Sequence, residues 1–330
     1  MMFSFTAISS VLFAVLIPAM ALGEVDRPYI NDKQVPEDRH DLEVIQKHLT
    51  EALAGSRRAT VCIDLGEGSG SGVVVSADGL ILTAAHVTGG VGRELTVIFE
   101  DGKKVKAESL GLVADSDCAM ARITEGGEWP HVELDREDSF RLGDWVYSLG
   151  HSGGFDAARG VVVRLGRVVR LASDSLQSDC SLIGGDSGGP LFDLRGRLIG
   201  IHSRVGERIQ ENMHVPLREF LEHWDEMSQG EFIGEGPFAK RPEKGKGFLG
   251  VGTVARDEGG LEVERIGRES PAEKAGLKAG DVLLKMDGVD LTTKEQFQEL
   301  LKEKAPDDRV RFDFLRSGRS ETLTLRLGER

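Results

Sequence analysis

Three short segments of this sequence hold residue types that can do chemistry together. The first is Gly185-Asp186-Ser187-Gly188-Gly189-Pro190. Glycines around a serine let the backbone approach a substrate closely. The N–H groups of Gly185 and Ser187 could then point at a developing oxyanion. A serine hydroxyl is a weak nucleophile and needs a base. His86, in Leu82-Thr83-Ala84-Ala85-His86-Val87, is the candidate. It ends an apolar strand, although a lone histidine there is more often structural. The third candidate is Asp117, in Asp115-Ser116-Asp117-Cys118-Ala119-Met120. A carboxylate that opens an apolar run needs a partner, and this one could hold an imidazole tautomer and stabilise the imidazolium. Asp115 is the neighbouring alternative, but Asp117 joins the apolar run directly. Gly185 to Gly189 also matches G-x-S-x-G, the nucleophile elbow of α/β-hydrolases. That fold needs a strand–turn–helix and the order serine, acid, histidine. Here the order is His86, Asp117, Ser187 and a strand follows the serine, which sets the esterase reading aside.

The elements that must position these residues are mostly strands. From Ala59 to about Val215, short β-rich runs such as TVCIDL, LILTAA, ELTVIFE and RLIGIHS alternate with glycine-containing turns. This pattern predicts an antiparallel sandwich or barrel, and the lack of intervening helices excludes a parallel βαβ sheet. Leu42, Ile45, Leu49 and Leu53 fall at helical spacing, so Asp38 to Ala54 is expected to be an amphipathic helix that Gly55 ends. Residues 24–36 are polar and expected to be weakly ordered. Pro216 to Met227 reads as a closing helix, and residues 229–247 as a linker of mixed Gly, Pro and charge. The remaining strands and two helices, residues 248–330, can hold one small core. The expected organisation is 1–23 leader, 24–56 N-terminal segment and helix, 57–228 first domain, 229–247 linker and 248–330 last domain.

Bulk properties narrow the classes. The formal net charge of -14 disfavours nucleic acid and anionic membranes as partners. No metal-spaced Cys/His cluster or phosphate-cradling loop is visible, so no metal and no cofactor are expected. Residues 1–23 carry no charge, and an apolar run from Val11 to Ile17 precedes Pro18 and Ala19-Met20-Ala21. This reads as a cleaved signal peptide, with an uncleaved anchor as the alternative. Either places the body of the protein outside the cytoplasm, periplasmic or secreted. Cys62, Cys118 and Cys180 lie in strand-like sequence and are expected to be buried free thiols, with one disulfide as the alternative.

TAAHV, SDCAMARI and GGDSGGPLF, in that order, resemble a trypsin-like serine protease. Finer features are similar to the HtrA (Deg) family: Gly68-Ser69-Gly70-Ser71-Gly72, Gly143-Asp144-Trp145-Val146 with Leu149-Gly150, and Leu176-Gln177-Ser178-Asp179. The resemblance implies a mainly β chain, a chymotrypsin-like double β-barrel. It implies Ser187 as nucleophile, His86 as general base, Asp117 as its orienting acid, and an oxyanion hole of Gly185 and Ser187. It also implies a homotrimer. Asp186 departs from the Asn usual in that family. Digestive trypsin-like enzymes have Asp there, paired with a new N-terminus after cleavage, and no activation site is evident here. Asp186 therefore needs another partner if buried. Ser181 stands where a trypsin-type pocket carries Asp, so Lys/Arg preference is not expected. Leu182, Ile183 and Ile201 suggest an apolar substrate pocket, with plain core packing as the alternative.

The C-terminal segment resembles an HtrA-type PDZ domain, a small α+β, partly open β-barrel. Gly247-Phe248-Leu249-Gly250-Val251 looks like its carboxylate-binding loop, and Ser270-Pro271-Ala272 through Gly276-Leu277 to Gly280-Asp281-Val282-Leu283 like its signature. Phe248, Leu249, Gly250 and Val251 are thus expected to bind peptide C-termini, with structural packing as the alternative. The function this implies is ATP-independent cleavage of unfolded or mislocalised envelope proteins, a protein quality control role. The competing readings are a regulatory protease, or a latent peptide-binding sensor or chaperone with a resting protease domain.

Overall fold

The computed structural model describes residues 27–66, 68–206 and 211–329. The leader expectation falls on residues 1–23, outside the described residues. Among the described residues, no helix is long and apolar enough to cross a membrane.

The N-terminal segment is more ordered than its polarity suggests. Residues Tyr29–Asp32 form a 3-10 turn, Ile30 is fully buried against Ile45 and Leu194, and Arg27 pairs with the buried Asp144. One apolar anchor and one ion pair to the body outweigh local composition. Helix α1 (Arg39–Ala59) starts at Asp38, whose side chain accepts from Asp41 N–H. It does not stop at Gly55, and so crosses the expected boundary at residue 56. A helical glycine is tolerated where packing decides, and here Ser56 shares a hydrogen bond with the buried Tyr147 hydroxyl at 2.7 Å. Leu42 is 56% exposed, so the buried face is Ile45 with the half-buried Leu49 and Leu53.

The first barrel contains β1 (Thr60–Asp64), β2 (Ser69–Val74), β3 (Leu80–Ala84), β4 (Glu94–Ile98), β5 (Lys104–Val113) and β6 (Cys118–Ile123), with the short helix α2 (Ala85–Thr88) after β3. The order β5-β4-β1-β2-β3-β6 closes because β5 also pairs with β6. A register irregularity between Ser109 and Leu112 bends β5 from one neighbour to the other. Gly111 sits at that bend with its Cα against Met227, where a Cβ would lie 2.4 Å from backbone. The second barrel contains β7 (Trp145–Gly150), β8 (Val162–Leu171), β9 (Leu176–Ser178), β10 (Pro190–Asp193), β11 (Leu198–Val205) and β12 (Asn212–Pro216), closed in the order β10-β11-β12-β9-β8-β7. The architecture is therefore two six-stranded antiparallel barrels, as expected. One apolar cluster runs from Ile63, Ile81 and Met120 in the first barrel to Leu149, Phe192 and Ile201 in the second. It fixes the barrels against each other and so fixes the cleft between them.

The closing segment is two short helices, α3 (Leu217–Glu222) and α4 (Trp224–Ser228), not one. His223 breaks them at φ -110°, ψ 23°. The segment 229–247 is docked, not free. Its strand β13 (Phe232–Ile233) adds in parallel to β5. The C-terminal region contains β14 (Gly247–Phe248), β15 (Val251–Ala255), β16 (Leu261–Ile266), α5 (Pro271–Lys274), β17 (Val282–Met286), β18 (Val289–Asp290), α6 (Lys294–Lys302), β19 (Arg309–Arg316), β20 (Arg319–Arg326) and β21 (Gly328–Glu329). It has its own core, which includes Leu249, Leu261, Phe297 and Phe312. Ser270 caps α5 with Pro271 behind it, and Thr293 caps α6. Cys62, Cys118 and Cys180 are free and buried. Burial pushes the thiols of Cys62 and Cys180 up to about 11, which makes them inert.

Candidate active site

The cleft brings the three sequence-predicted residues to one place. His86 is the second residue of α2, which Gly89 ends in the left-handed conformation at φ 64°. Asp117 is in the turn before β6 with φ 63°, a conformation that Asp tolerates better than most residues. That turn aims the Asp117 carboxylate back at α2. Its Oδ1 and Oδ2 are each 3.0 Å from His86 Nδ1, Oδ1 also accepts from the His86 backbone N–H at 3.1 Å, and Asp117 O accepts from Ala85 N–H. Asp117 is fully buried, whereas the His86 ring is 37% exposed. This geometry holds one imidazole orientation, with Nδ1–H donating to the carboxylate. The neighbouring Asp115 lies against Gly234 and Gly236 instead.

A residue that sequence reasoning missed completes this pair. Ser203 Oγ donates to Asp117 Oδ2 at 2.5 Å. Ser203 sits at the register irregularity of β11, between His202 and Arg204. A bulge re-aims a side chain, and alternation alone would not have located it.

Ser187 comes from the second barrel, on a tight turn clamped by both. Ser71 N–H donates to Ser187 O at 2.7 Å, and Gly188 N–H to His202 O at 2.7 Å. Gly188, at φ 84°, has no room for a side chain, since a Cβ would lie 2.2 Å from Ser71 O. The Ser187 hydroxyl donates to Ser203 O at 3.3 Å. Gly184 O accepts from Gly153 N–H at 2.6 Å. Carbonyl and N–H point opposite ways across a peptide plane, so the Gly185 N–H is turned away from that contact. The N–H groups of Gly185 and Ser187 have no acceptor among the described residues. Two unpaired donors therefore flank the serine.

Asp186 is fully buried and does have its partner. Arg164 of β8 pairs with Oδ2 at 3.0 Å, Ser152 Oγ donates to Oδ1 at 2.6 Å, and Ile183 N–H donates to Oδ2 at 2.9 Å. Arg164 also donates to Ser152 Oγ at 2.9 Å. The cation thus comes from a strand of the same chain.

The cleft has a volume of about 370 Å³. His86, Ser187, Leu182 and Ile183 line it, along with Gly184, His202, Ser203, Arg204, Val205 and Phe238. Leu182 and Ile183 are where the sequence suggested. Ile201 is not: it is fully buried in the core between the barrels. Ser181 is exposed and lies outside the cleft lining. The strand phase of β11 turns His202, not Ile201, toward the cleft. Phe238 comes from the docked segment after β13, where Arg204 stacks over its ring at 5.3 Å. A second groove, of about 630 Å³, is lined by Gly247 to Thr253 together with Phe297 and Leu301 of α6. Phe248, Leu249, Gly250 and Val251 all contribute, although the Leu249 side chain is core. The N–H groups of Leu249 and Gly250 have no acceptor among the described residues.

Double barrel, cleft and turn define a trypsin-like peptidase fold, here followed by a PDZ fold. Residues 70–201 match the trypsin-like peptidase domain family and residues 247–327 the PDZ domain family. A trypsin-like peptidase domain followed by one PDZ domain makes the chain similar to the HtrA/DegP-like serine proteases. It is 29% identical over 269 residues to a probable periplasmic serine endoprotease DegP-like of Ectopseudomonas mendocina, covering 78% of this chain and 56% of the relative. A protein of the same description from Halomonas elongata is 27% identical over 79% of this chain and 56% of its own length. The chain thus spans about half the length of the curated relatives it matches. Among solved structures, an HtrA-type protease AlgW with tripeptide aligns with 85% of this chain and 97% of its own at 25% identity and TM-score 0.49. The serine endoprotease from Yersinia pestis aligns with 90% and 99% at 22% identity and TM-score 0.48.

Proposed function

We propose that this chain is an ATP-independent serine endopeptidase of the cell envelope that cuts unfolded or mislocalised proteins through an acyl-enzyme. The observation that carries this is the His86–Asp117 pair beside Ser187, with two unpaired N–H donors flanking the serine. In the reaction, Ser187 Oγ leaves Ser203 O and turns to His86 Nε2, which takes its proton as Oγ attacks the scissile carbonyl. The Gly185 and Ser187 N–H groups receive the negative oxygen. The imidazolium, held by Asp117, then protonates the leaving amine, and water repeats the sequence to release the acid. The PDZ groove binds peptide C-termini, because the unpaired Leu249 and Gly250 N–H groups suit a carboxylate and the edge of β15 suits an added strand. Tyr29, Val35 and Leu42 are exposed apolar residues of the N-terminal segment and α1. They support self-association there, a homotrimer by the family resemblance.

The hydroxyl resting on Ser203 O, with no bond to His86, favours a second reading as well: a regulatory protease or peptide sensor whose site is at rest until a ligand binds. One experiment tests both. Fluorophosphonate labelling and casein cleavage are measured with and without an unfolded substrate. Ser187→Ala is expected to lose about 10⁴-fold or more in kcat with folding retained. Casein cleavage by the pure variant would overturn the assignment. Labelling of wild-type protein that appears only after substrate or peptide is added would select the resting form.

A further inference from the structure

Among the apolar residues that line the cleft, Leu182, Ile183, Val205 and Phe238, stands one buried histidine, His202. His202 of β11 faces His214 of β12 in register. Both are buried, their ring centroids are 4.9 Å apart, and their Nδ1 atoms are 2.9 Å apart. His214 Nε2 is 2.7 Å from Ser178 Oγ, which in turn accepts from Cys180 N–H at 3.3 Å. Burial holds both rings neutral, with His202 lowered to about 3 and His214 well below its ordinary value. Each ring therefore carries one proton.

The position of that proton follows from the chain of contacts. A lone pair on His202 Nε2 would face the nearby Leu149 carbonyl, so the chain runs the other way, with the Ser178 hydroxyl, which accepts from Cys180 N–H, donating to His214 Nε2. His214 then carries its proton on Nδ1 and donates to His202 Nδ1. That leaves the His202 proton on Nε2. This atom is buried and, among the described residues, has no partner at hydrogen-bond distance and angle, although the Leu149 carbonyl is close enough to favour a proton on the ring. A buried donor without an acceptor is unfavourable, and a bound group that supplies the acceptor removes the penalty. His202 lines the same cleft as Ser187. Among the described residues no carboxylate lines that cleft, whereas Arg204 does, and Arg164 is close enough to act on the His202 ring.

We propose that this cleft selects a glutamate or glutamine side chain on the N-terminal side of the scissile bond, with His202 Nε2–H as the donor that recognises its terminal oxygen. The proposal rests on the endopeptidase reading above. His202 is here a specificity residue, with His214 and Ser178 fixing its tautomer. An aliphatic side chain would leave the donor unpaired, and a lysine would bring a second cation to a lining that already holds Arg204. Sites built to hydrogen-bond a substrate reject analogues that cannot do so far more strongly than apolar pockets reject a missing methylene.

The test uses the intact protein and quenched peptides that differ only at that residue: Glu, Gln, Val or Lys. Their C-termini are amidated to keep them off the PDZ groove. Glu or Gln is expected to exceed Val by about 10- to 100-fold in kcat/KM, with Lys lowest. His202→Val/His214→Leu removes both rings together, so that neither histidine is stranded and only the Ser178 hydroxyl loses its acceptor. In it the Gln/Val ratio is expected to fall to about one or below. A wild-type preference for Val or Lys, or a ratio unchanged in the folded double variant, overturns the proposal. Independently of turnover, the His202 ring nitrogens are followed by 15N NMR in Ser187→Ala protein. The Gln peptide is expected to shift Nε2 where the Val peptide does not, and an unmoved Nε2 also overturns the proposal. Fluorophosphonate labelling of wild-type protein separates this failure from failure of the endopeptidase reading. Labelling without the predicted preference sinks only the pocket, and a nitrogen shift without labelling sinks only the protease.

Discussion

Arg164→Met tests what holds the turn that carries Ser187. Asp186 is fully buried, and its three donors are the Arg164 guanidinium at 3.0 Å, the Ser152 hydroxyl at 2.6 Å and the Ile183 N–H at 2.9 Å. Methionine keeps most of the aliphatic volume and removes the charge. The carboxylate is then left with two neutral donors, and Ser152 Oγ loses its own donor. Breaking one side of a buried pair costs about 3–5 kcal/mol. The Arg164 side chain is 18% exposed, and two donors remain, so the lower end, about 3 kcal/mol, is expected. Asp186 sits between the two residues whose N–H groups flank the cleft. Relaxation of that turn is the cheapest response, and loss of one oxyanion donor lowers kcat by about 10²–10³. Urea unfolding and the rate of fluorophosphonate labelling read the two effects. Labelling is expected to fall about 100-fold. Arg164→Met/Asp186→Asn should recover most of the stability, because no buried charge is then stranded. An Arg164→Met protein that unfolds at the wild-type urea midpoint and labels at the wild-type rate would refute the reasoning, and the turn would then be held by Ser152 and Ile183 alone.

Ser203→Ala removes the 2.5 Å donor to Asp117. A hydrogen bond to a charged group contributes about 1.5–3 kcal/mol, so kcat should fall about 10- to 100-fold with little change in KM, and an unchanged kcat would count against a role for Ser203. His202 and His214 bind protons less tightly in the folded chain than in the unfolded one. Stability should therefore fall as pH drops from the ordinary histidine value of 6.5 toward about 3. His202→Val/His214→Leu should make that slope shallower in urea titrations across the window, and an equal slope would argue against the buried neutral pair. Peptides with free C-termini should bind the intact protein more tightly than their amidated forms, since the free carboxylate is what the Leu249 and Gly250 N–H groups would meet. Equal affinity by fluorescence polarisation would reduce the PDZ groove to a packing surface.

Much of the site was legible because its parts are local. A serine set among glycines, a histidine ending an apolar strand and an aspartate opening one each declare themselves within a few residues, and their order excluded the α/β-hydrolase reading. Strand runs punctuated by glycine turns declared an all-β body, and the PDZ signature declared the C-terminal region. Helix length was not legible in the same way. Gly55 is a stop signal by propensity, but the Ser56–Tyr147 contact carries α1 on to Ala59, and packing outweighs a single glycine. Nor was the weak order expected of residues 24–36 met where the structure describes them, because Ile30 and Arg27 find partners far along the chain.

By itself, the sequence determined the residue types at the candidate site and the class of fold that presents them, because both depend on short spacing and periodicity. Only the tertiary structure decided which groups surround that site. Arg164 reaches Asp186 because β8 and the serine turn are neighbours in the second barrel. Ser203 reaches Asp117 because β11 is irregular there, and the same irregularity sits beside His202, which lines the cleft while Ile201 is core. Phe238 arrives from a segment that composition marked as linker. Each of these depends on barrel closure and strand phase, and both are set by pairing between distant segments.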